Sequence, residues 1–338
     1  MAQKKKIFLI IFFFTLYFLM SSIKSQAFNF NTDIIQYGNN NTVNVNQTNP
    51  TNYAEIFQGL NNLNSANNTV IVKQFGITGN ATIRQDGDEN QIEILQDTGS
   101  SMNNATVTQN GIENLANVYQ NGTLGNVTVI QNGDYNKAFI NQTNNVNNGS
   151  IFINQTGIGN LAKTAQNGTS DFIEIKQEGD YNNATVAQDI GYAPQFDWVE
   201  VNQVGDYNSI SVGQRGDNSE AQVSQIGNYN IAQIKEVGDN GYVFTDQQGD
   251  SNIIYVSQSD VSCQAIIKQL NTYSNIASVY QLSDSNYAEI VQKNGQDNKA
   301  NIVQGAYIYN IFPPFNYSGF YAKIYQEGDG NLANIIQK

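Results

Sequence analysis

A glutamine returns along this chain at a spacing that few folds can use. It stands at positions 36, 47, 58, 74, 85, 96, 109, 120, 131, 142, 155, 166, 177, 188, 203, 214 and 225, and again from 247 through 258, 269, 281, 292, 304 and 326 to 337. Each closes a seven-residue unit such as Asn90-Gln-Ile92-Glu-Ile94-Leu-Gln96, with small apolar residues third and fifth, and x-Gly-x-x usually follows. Of 26 such units only one departs from Gln, at Glu236. Alternate units all open with Asn: Asn41, Asn68, Asn90, Asn114, Asn136, Asn160, Asn182, Asn208, Asn230, Asn252, Asn275, Asn298 and Asn331. The true period is therefore 22 residues, and internal repetition of this kind sets the architecture before any local reading does.

Within each unit the period is two, the signature of a β-strand. Of the 52 residues at third and fifth positions, 49 are Ala, Val or Ile, and the others are Thr32, Thr164 and Thr245. A globular core mixes sizes; this one repeats small and β-branched residues, as suits two flat sheets at a narrow, constant gap. The expected fold is all-β: a β-solenoid of about 13 strand-turn-strand rungs, built as two facing parallel in-register sheets. At ~4.8 Å per rung it makes a rod of roughly 62 Å.

Gln and Asn would point inward with the apolar residues. An unpaired buried amide costs about 1–3 kcal/mol, but stacked amides can donate and accept along the rod axis. The expected ladder residues are Gln36, Asn41, Gln47, Gln85, Asn90, Gln96, Gln109, Asn114, Gln120, Gln131, Asn136, Gln142, Gln177, Asn182, Gln188, Gln203, Asn208, Gln214, Gln326, Asn331 and Gln337. Gly38, Gly87, Gly111, Gly133, Gly157, Gly179, Gly205, Gly227, Gly249 and Gly328 supply the positive φ of the tight turns that lead into the Asn-led units. Most of the large insertions fall on the opposite edge, with long loops at 189–196 and 305–319, so one edge reads as tight and the other as variable.

Lys4, Lys5 and Lys6 precede an apolar run from Ile7 to Met20, followed by Ser25-Gln26-Ala27. That is the layout of a secretory signal peptide, residues 1–27, ahead of a single repeat domain at 28–338. The run is short of the ~20 residues a membrane span needs, and no second one follows, so the mature chain is not expected to span a membrane. Removal of the leader takes four cations and no acids, leaving 12 cations against 29 acids, a net charge of −17. Such a chain is a poor partner for nucleic acid. With no His and a single Cys, His-based triads, His-ligated zinc and a disulfide framework are excluded. No catalytic, cofactor or metal residues are assigned.

The 22-residue unit resembles the curlin repeat of curli subunits, Ser-x5-Gln-x-Gly-x-x-Asn-x5-Gln with Ala two after the Asn. Ser219-x5-Gln225-Ile-Gly227-Asn-Tyr-Asn230-Ile-Ala232 carries the pattern, and Gln131 to Gln142 and Gln326 to Gln337 carry its second half. The chain departs from typical curlins in having more repeats, in odd units that seldom open with Ser, and in lacking a Gly-rich segment after the leader. The resemblance implies a secreted structural subunit of extracellular amyloid fibres on the bacterial cell surface, serving biofilm matrix and adhesion. It also implies self as partner, a nucleator subunit and an outer-membrane curli-type secretion channel. Independently, strands run almost to the last residue with no visible cap, which leaves ladder ends open to continuation.

Other features have plainer readings. Asp88, Asp134, Asp180, Asp206, Asp217, Asp239, Asp250 and Asp329 follow turn positions. They lack the calcium-binding nonapeptide pattern and read as turn formers. Asp171 and Asp197 open neighbouring units and are expected to act as a like-charge brake on packing rather than as a catalytic pair. Cys263 reads as a small buried residue, and the aromatic segment 305–319 as a tolerated loop or a contact patch. The alternatives are a monomeric secreted β-solenoid adhesin or ligand-binding protein and, more remotely, a β-helix polysaccharide-degrading enzyme.

Overall fold

A computed structural model describes residues 31–60, 65–143, 146–188, 196–305 and 319–337. Residues 1–27, expected from the sequence to be a leader, and most of the loops 189–196 and 305–319 lie outside them. The described chain forms 26 strands, numbered β1 (Asn31–Gln36) to β26 (Leu332–Gln337) in chain order. They fall into two 13-stranded sheets, one holding every odd strand and the other every even strand, each in sequence order. The fold is an all-β solenoid: the chain alternates sheets strand by strand and climbs one rung every two strands. Neighbours are parallel and in register, with Gln36 opposite Gln58, Gln177 opposite Gln203 and Gln304 opposite Gln337.

Alternating burial follows from the two-residue period. In Asn80–Asp88 (β5) Ala81, Ile83 and Gln85 are fully buried, while Asn80, Thr82 and Arg84 face outward. The third and fifth positions of successive rungs form one continuous core from Ala54 to Ile324. Each β-branched side chain buried there contributes on the order of 1.5–3 kcal/mol, and a one-residue slip would turn a whole strand's set outward. Register is thus enforced by the core itself.

The turns hold two devices. Where a glycine stands two residues after an odd-strand Gln it has positive φ (Gly179 at 112°, Gly205 at 109°), and after Gln269 Asn271 takes that conformation at 53°. Gly179 and Gly205 also have no room for a side chain. A Cβ on Gly87, Gly133, Gly179 or Gly205 would lie 2.0–2.2 Å from the carbonyl oxygen of the glycine one rung on. Glycine is required there twice over, by conformation and by the stacking of the turns.

The second device has no glycine signature. The residue just before each Asn-led unit is also left-handed: Glu113 at 54°, Tyr135 at 61°, Tyr181 at 56°, Tyr207 at 57° and Tyr229 at 58°. For residues with a Cβ this costs about 1–2 kcal/mol. In return its N–H reaches back one rung, Tyr181 to Ile158 O at 2.8 Å and Tyr207 to Asp180 O at 2.9 Å. Backbone bonding therefore continues through the turn. Tyr181, Tyr207 and Tyr229 stack as a partly exposed column with ring centroids 5.1 Å apart.

The edge expected to be variable is stacked too. Bridges join Ile77, Ser101, Thr123, Asn147 and Thr169 in a parallel column, so longer links there return to a common contact before the next strand. In the link after Gln142 the undescribed residues 144 and 145 precede that contact. An insert placed likewise, five Gly/Ser residues after Asn167, is expected to leave the folded yield near wild type. The same insert after Gly205 breaks the glycine column and is expected to reduce the yield sharply. Equal yields, measured by soluble β-rich protein recovered, would remove the distinction between the two edges.

Candidate functional site

The buried amides are the most repeated polar feature of the rod. In the odd sheet each Gln Nε2 donates to the Oε1 of the Gln one rung on, without a break from Gln36 to Gln326. Examples are Gln85 to Gln109 at 2.9 Å, Gln177 to Gln203 at 2.8 Å and Gln292 to Gln326 at 2.8 Å. In the even sheet the same chain runs Gln47, Gln74, Gln96, Gln120, Gln142, Gln166, Gln188 and Gln214, and resumes from Gln258 through Gln281 and Gln304 to Gln337. These Gln ladders have a direction: every Gln passes its ladder hydrogen toward the C-terminal end.

The same Nε2 spends its other hydrogen across the gap. Gln131 donates to Leu115 O, Gln177 to Leu161 O and Gln203 to Asn183 O, at 3.1, 3.1 and 3.2 Å. Each acceptor belongs to the facing sheet. Glutamine therefore clasps the two sheets together as well as stacking along the axis. Sequence reasoning missed this second bond, since nothing in a repeat unit states which carbonyl lies opposite.

Asparagine works differently from the side-chain ladder expected of it. Its Oδ1 accepts the backbone N–H of the next rung's Asn, as Asn114 from Asn136 and Asn182 from Asn208, both at 3.0 Å. Its Nδ2 donates to the next rung's turn glycine carbonyl, Asn114 to Gly133 O and Asn182 to Gly205 O, both at 2.6 Å. Direct amide-to-amide contact occurs only at some rungs, for example Asn160 to Asn136 at 3.1 Å. Asn is thus mainly a backbone staple, and it needs both an acceptor and a donor. That explains its constancy at the head of even units.

Asp171 and Asp197 turn out to belong to the same device on the other edge. Both are buried. Asp171 Oδ1 accepts the Asp197 N–H at 3.1 Å, and Asp197 Oδ1 accepts the Ser219 N–H at 2.8 Å. These oxygens replace the acceptor half of Asn and help hold rungs together, a role the sequence reading did not include. The turn aspartates likewise accept backbone N–H groups from the preceding rung: Asp134 from Ile112, Asp180 from Ile158 and Asp206 from Asp180. Among the described residues no group of three or more His, Cys, Asp or Glu is placed to hold a metal. Cys263 is buried, donates to Ser283 O at 3.1 Å, and burial pushes its thiol pKa up. That disfavours the reactive thiolate.

Shallow troughs cross the outer face of the even sheet. One of about 440 Å³ is lined by Leu95, Tyr119, Phe139, Lys163 and Ala187. Its acid, Glu93, is paired with Lys73 at 3.0 Å, so the trough does not offer the pair of carboxylates that glycoside cleavage uses. Among the described residues no helix is long and apolar enough to cross a membrane.

Residues 199–227 match the model of the family described as the curlin associated repeat, and no curated protein matches the chain. The matched stretch runs from Val199 to Gly227. It includes Gln203, Gly205, Asn208, Gln214, Ser219 and Gln225, the clasp, glycine and staple residues of one rung and the start of the next. Residues 199–227 are thus similar to the curlin associated repeat, and they sit within a solenoid whose other described rungs are bonded to the same plan.

Proposed function

We propose that this protein is a secreted structural subunit that adds head-to-tail to its own kind, forming curli-like extracellular fibres for biofilm matrix and adhesion. A curlin-type repeat on a β-solenoid supports a structural rather than an enzymatic role. The observation that carries the reading is the polarity of the ladders at the end rungs. In the last described rung Gln326 and Gln337 keep their clasps to Lys299 O and Tyr321 O. Among the described residues no further rung accepts their second hydrogen. At the other end, Gln36 donates to Gln58 and its own Oε1 has no donor among the described residues. Donors at one end meet acceptors at the other.

The core points the same way. Ile335 and Ala333 are only half-buried, whereas Ile302 and Ala300 one rung earlier are covered. A second copy stacked in register would also set Lys323 against Asp33. Export through the N-terminal leader, a curli-type outer-membrane channel and a nucleator subunit complete the proposal.

The mature chain, residues 28–338, is expected to form thioflavin-positive fibrils without any cofactor. A chain still monomeric after days at micromolar concentration would overturn the reading. Gln326→Ala combined with Gln337→Ala is expected to slow seeded elongation several-fold, and by more than Gln177→Ala combined with Asn182→Ala does in the middle of the rod. Unchanged elongation would remove the end-ladder argument.

A further inference from the structure

The even ladder is interrupted at one rung, and the interruption is built from three residues. Gln214, in β16 (Ser209–Arg215), donates to Glu236 Oε2 at 2.7 Å. Glu236, in β18 (Ile231–Val237), is fully buried, and a carboxylate has no hydrogen to pass on. The next member, Gln258 of β20 (Ile253–Gln258), donates onward to Gln281 at 2.8 Å. This leaves Glu236 Oε1 and Gln258 Oε1 as buried acceptors with no donor. Both face the place where a side chain is missing: a Cβ built on Gly241 would lie 3.0 Å from Glu236 Oε1 and 3.3 Å from Gln258 Oε1. Two buried acceptors turned to one spot leave a donor to be supplied there.

We propose that Glu236 is held as the neutral acid, its O–H donating to Gln258 Oε1, so that one proton closes the ladder and makes this rung a pH-sensitive seam in the rod. With the proton on, Glu236 accepts from Gln214 and donates to Gln258, as a glutamine would. With the proton off, two buried oxygens face each other unbridged beside a negative charge.

The surroundings favour the acid. No cation is hydrogen-bonded to Glu236 among the described residues. Arg215 of β16 and Lys235 of β18 are exposed on the outer side. β20 contributes Gln258, and the Gly241–Tyr242 segment of the facing sheet contributes no charge. The charged neighbour whose field reaches Glu236 is Glu220 of β17 (Glu220–Ile226), a like charge. Burial, opposed by the Gln214 hydrogen bond and reinforced by Glu220, pushes the Glu236 pKa up to about 8.

The sign follows from linkage. A carboxyl with a folded pKa near 8 and an unfolded value of 4.5 binds its proton more tightly when folded. Its contribution is full below pH 4.5, is lost as pH rises from 4.5 to about 8, and is flat beyond. Across that window the wild-type folding equilibrium is expected to weaken by up to about a thousandfold relative to Glu236→Gln, which has no proton to lose.

The test is thermal and denaturant unfolding of wild type and Glu236→Gln from pH 4.5 to 9. Near pH 4.5 the two are expected to be similar, and by pH 8 Glu236→Gln is expected to be clearly the more stable. Parallel profiles, or a less stable Glu236→Gln at pH 8, would overturn the proposal. A second readout does not depend on stability. The infrared difference between wild type and Glu236→Gln at pH 7 is expected to contain a protonated-carboxyl carbonyl band, and a purely carboxylate difference would sink the idea.

Discussion

Gly179→Ala is expected to destabilise the rod by on the order of 2–6 kcal/mol. The added Cβ would sit 2.2 Å from Gly205 O, at a φ of 112°. Backbone strain of this kind costs about 1–3 kcal/mol, and overpacking adds about 1–3 kcal/mol more. Neither part relaxes cheaply. The atom struck is main chain, and moving it would displace the Asn182 bond to that same carbonyl, at 2.6 Å. Gly213→Ala is the control. Gly213 lies on the outer face of β16 without positive φ, and its Cβ would meet nothing within 4 Å. There the change is expected to be neutral or stabilising by about 0.4–1 kcal/mol, through lower entropy of the unfolded chain. The measurement is the melting midpoint of soluble monomer, and similar midpoints for the two variants would contradict the glycine column.

Gln177→Ala is expected to cost about 3–9 kcal/mol. Its amide accepts from Gln155 at 2.8 Å, donates to Gln203 at 2.8 Å and donates across the gap to Leu161 O at 3.1 Å. Truncation strands a donor and two acceptors in the dry interior, each worth about 1–3 kcal/mol when left unmade. Lys176→Ala, one residue away on the outer face, removes an exposed pair with Glu174 and is expected to change stability by less than about 1 kcal/mol. A denaturant midpoint for Gln177→Ala close to that of Lys176→Ala would mean the ladder contributes little.

Much of this was legible in the repeat. A two-residue period with Ala, Val and Ile at its third and fifth positions leaves a strand one face to bury, and a 22-residue recurrence of Gln and Asn places each strand against its own copy. The strands, their parallel register, the core and the inward amides follow from that, because in-register stacking needs only that rungs repeat.

What could not be read was decided by the distance between the sheets and by the climb from rung to rung. The clasp from Gln177 to Leu161 O joins residues 16 apart in the chain and exists because the facing sheet stands within amide reach. Asn182 staples a backbone rather than another amide because the next turn carbonyl, Gly205 O, stands 2.6 Å from its Nδ2. Tyr181 and Tyr207 take left-handed φ because the previous rung offers a carbonyl to their N–H groups. Asp171 and Asp197, read from the sequence only as repelling charges, also accept the next rung's N–H. By itself the sequence determined which residues repeat and so which face is buried and in what register. Only the tertiary structure decided what each repeated polar atom bonds to, because those partners come from other rungs and from the facing sheet, whose positions no single unit contains.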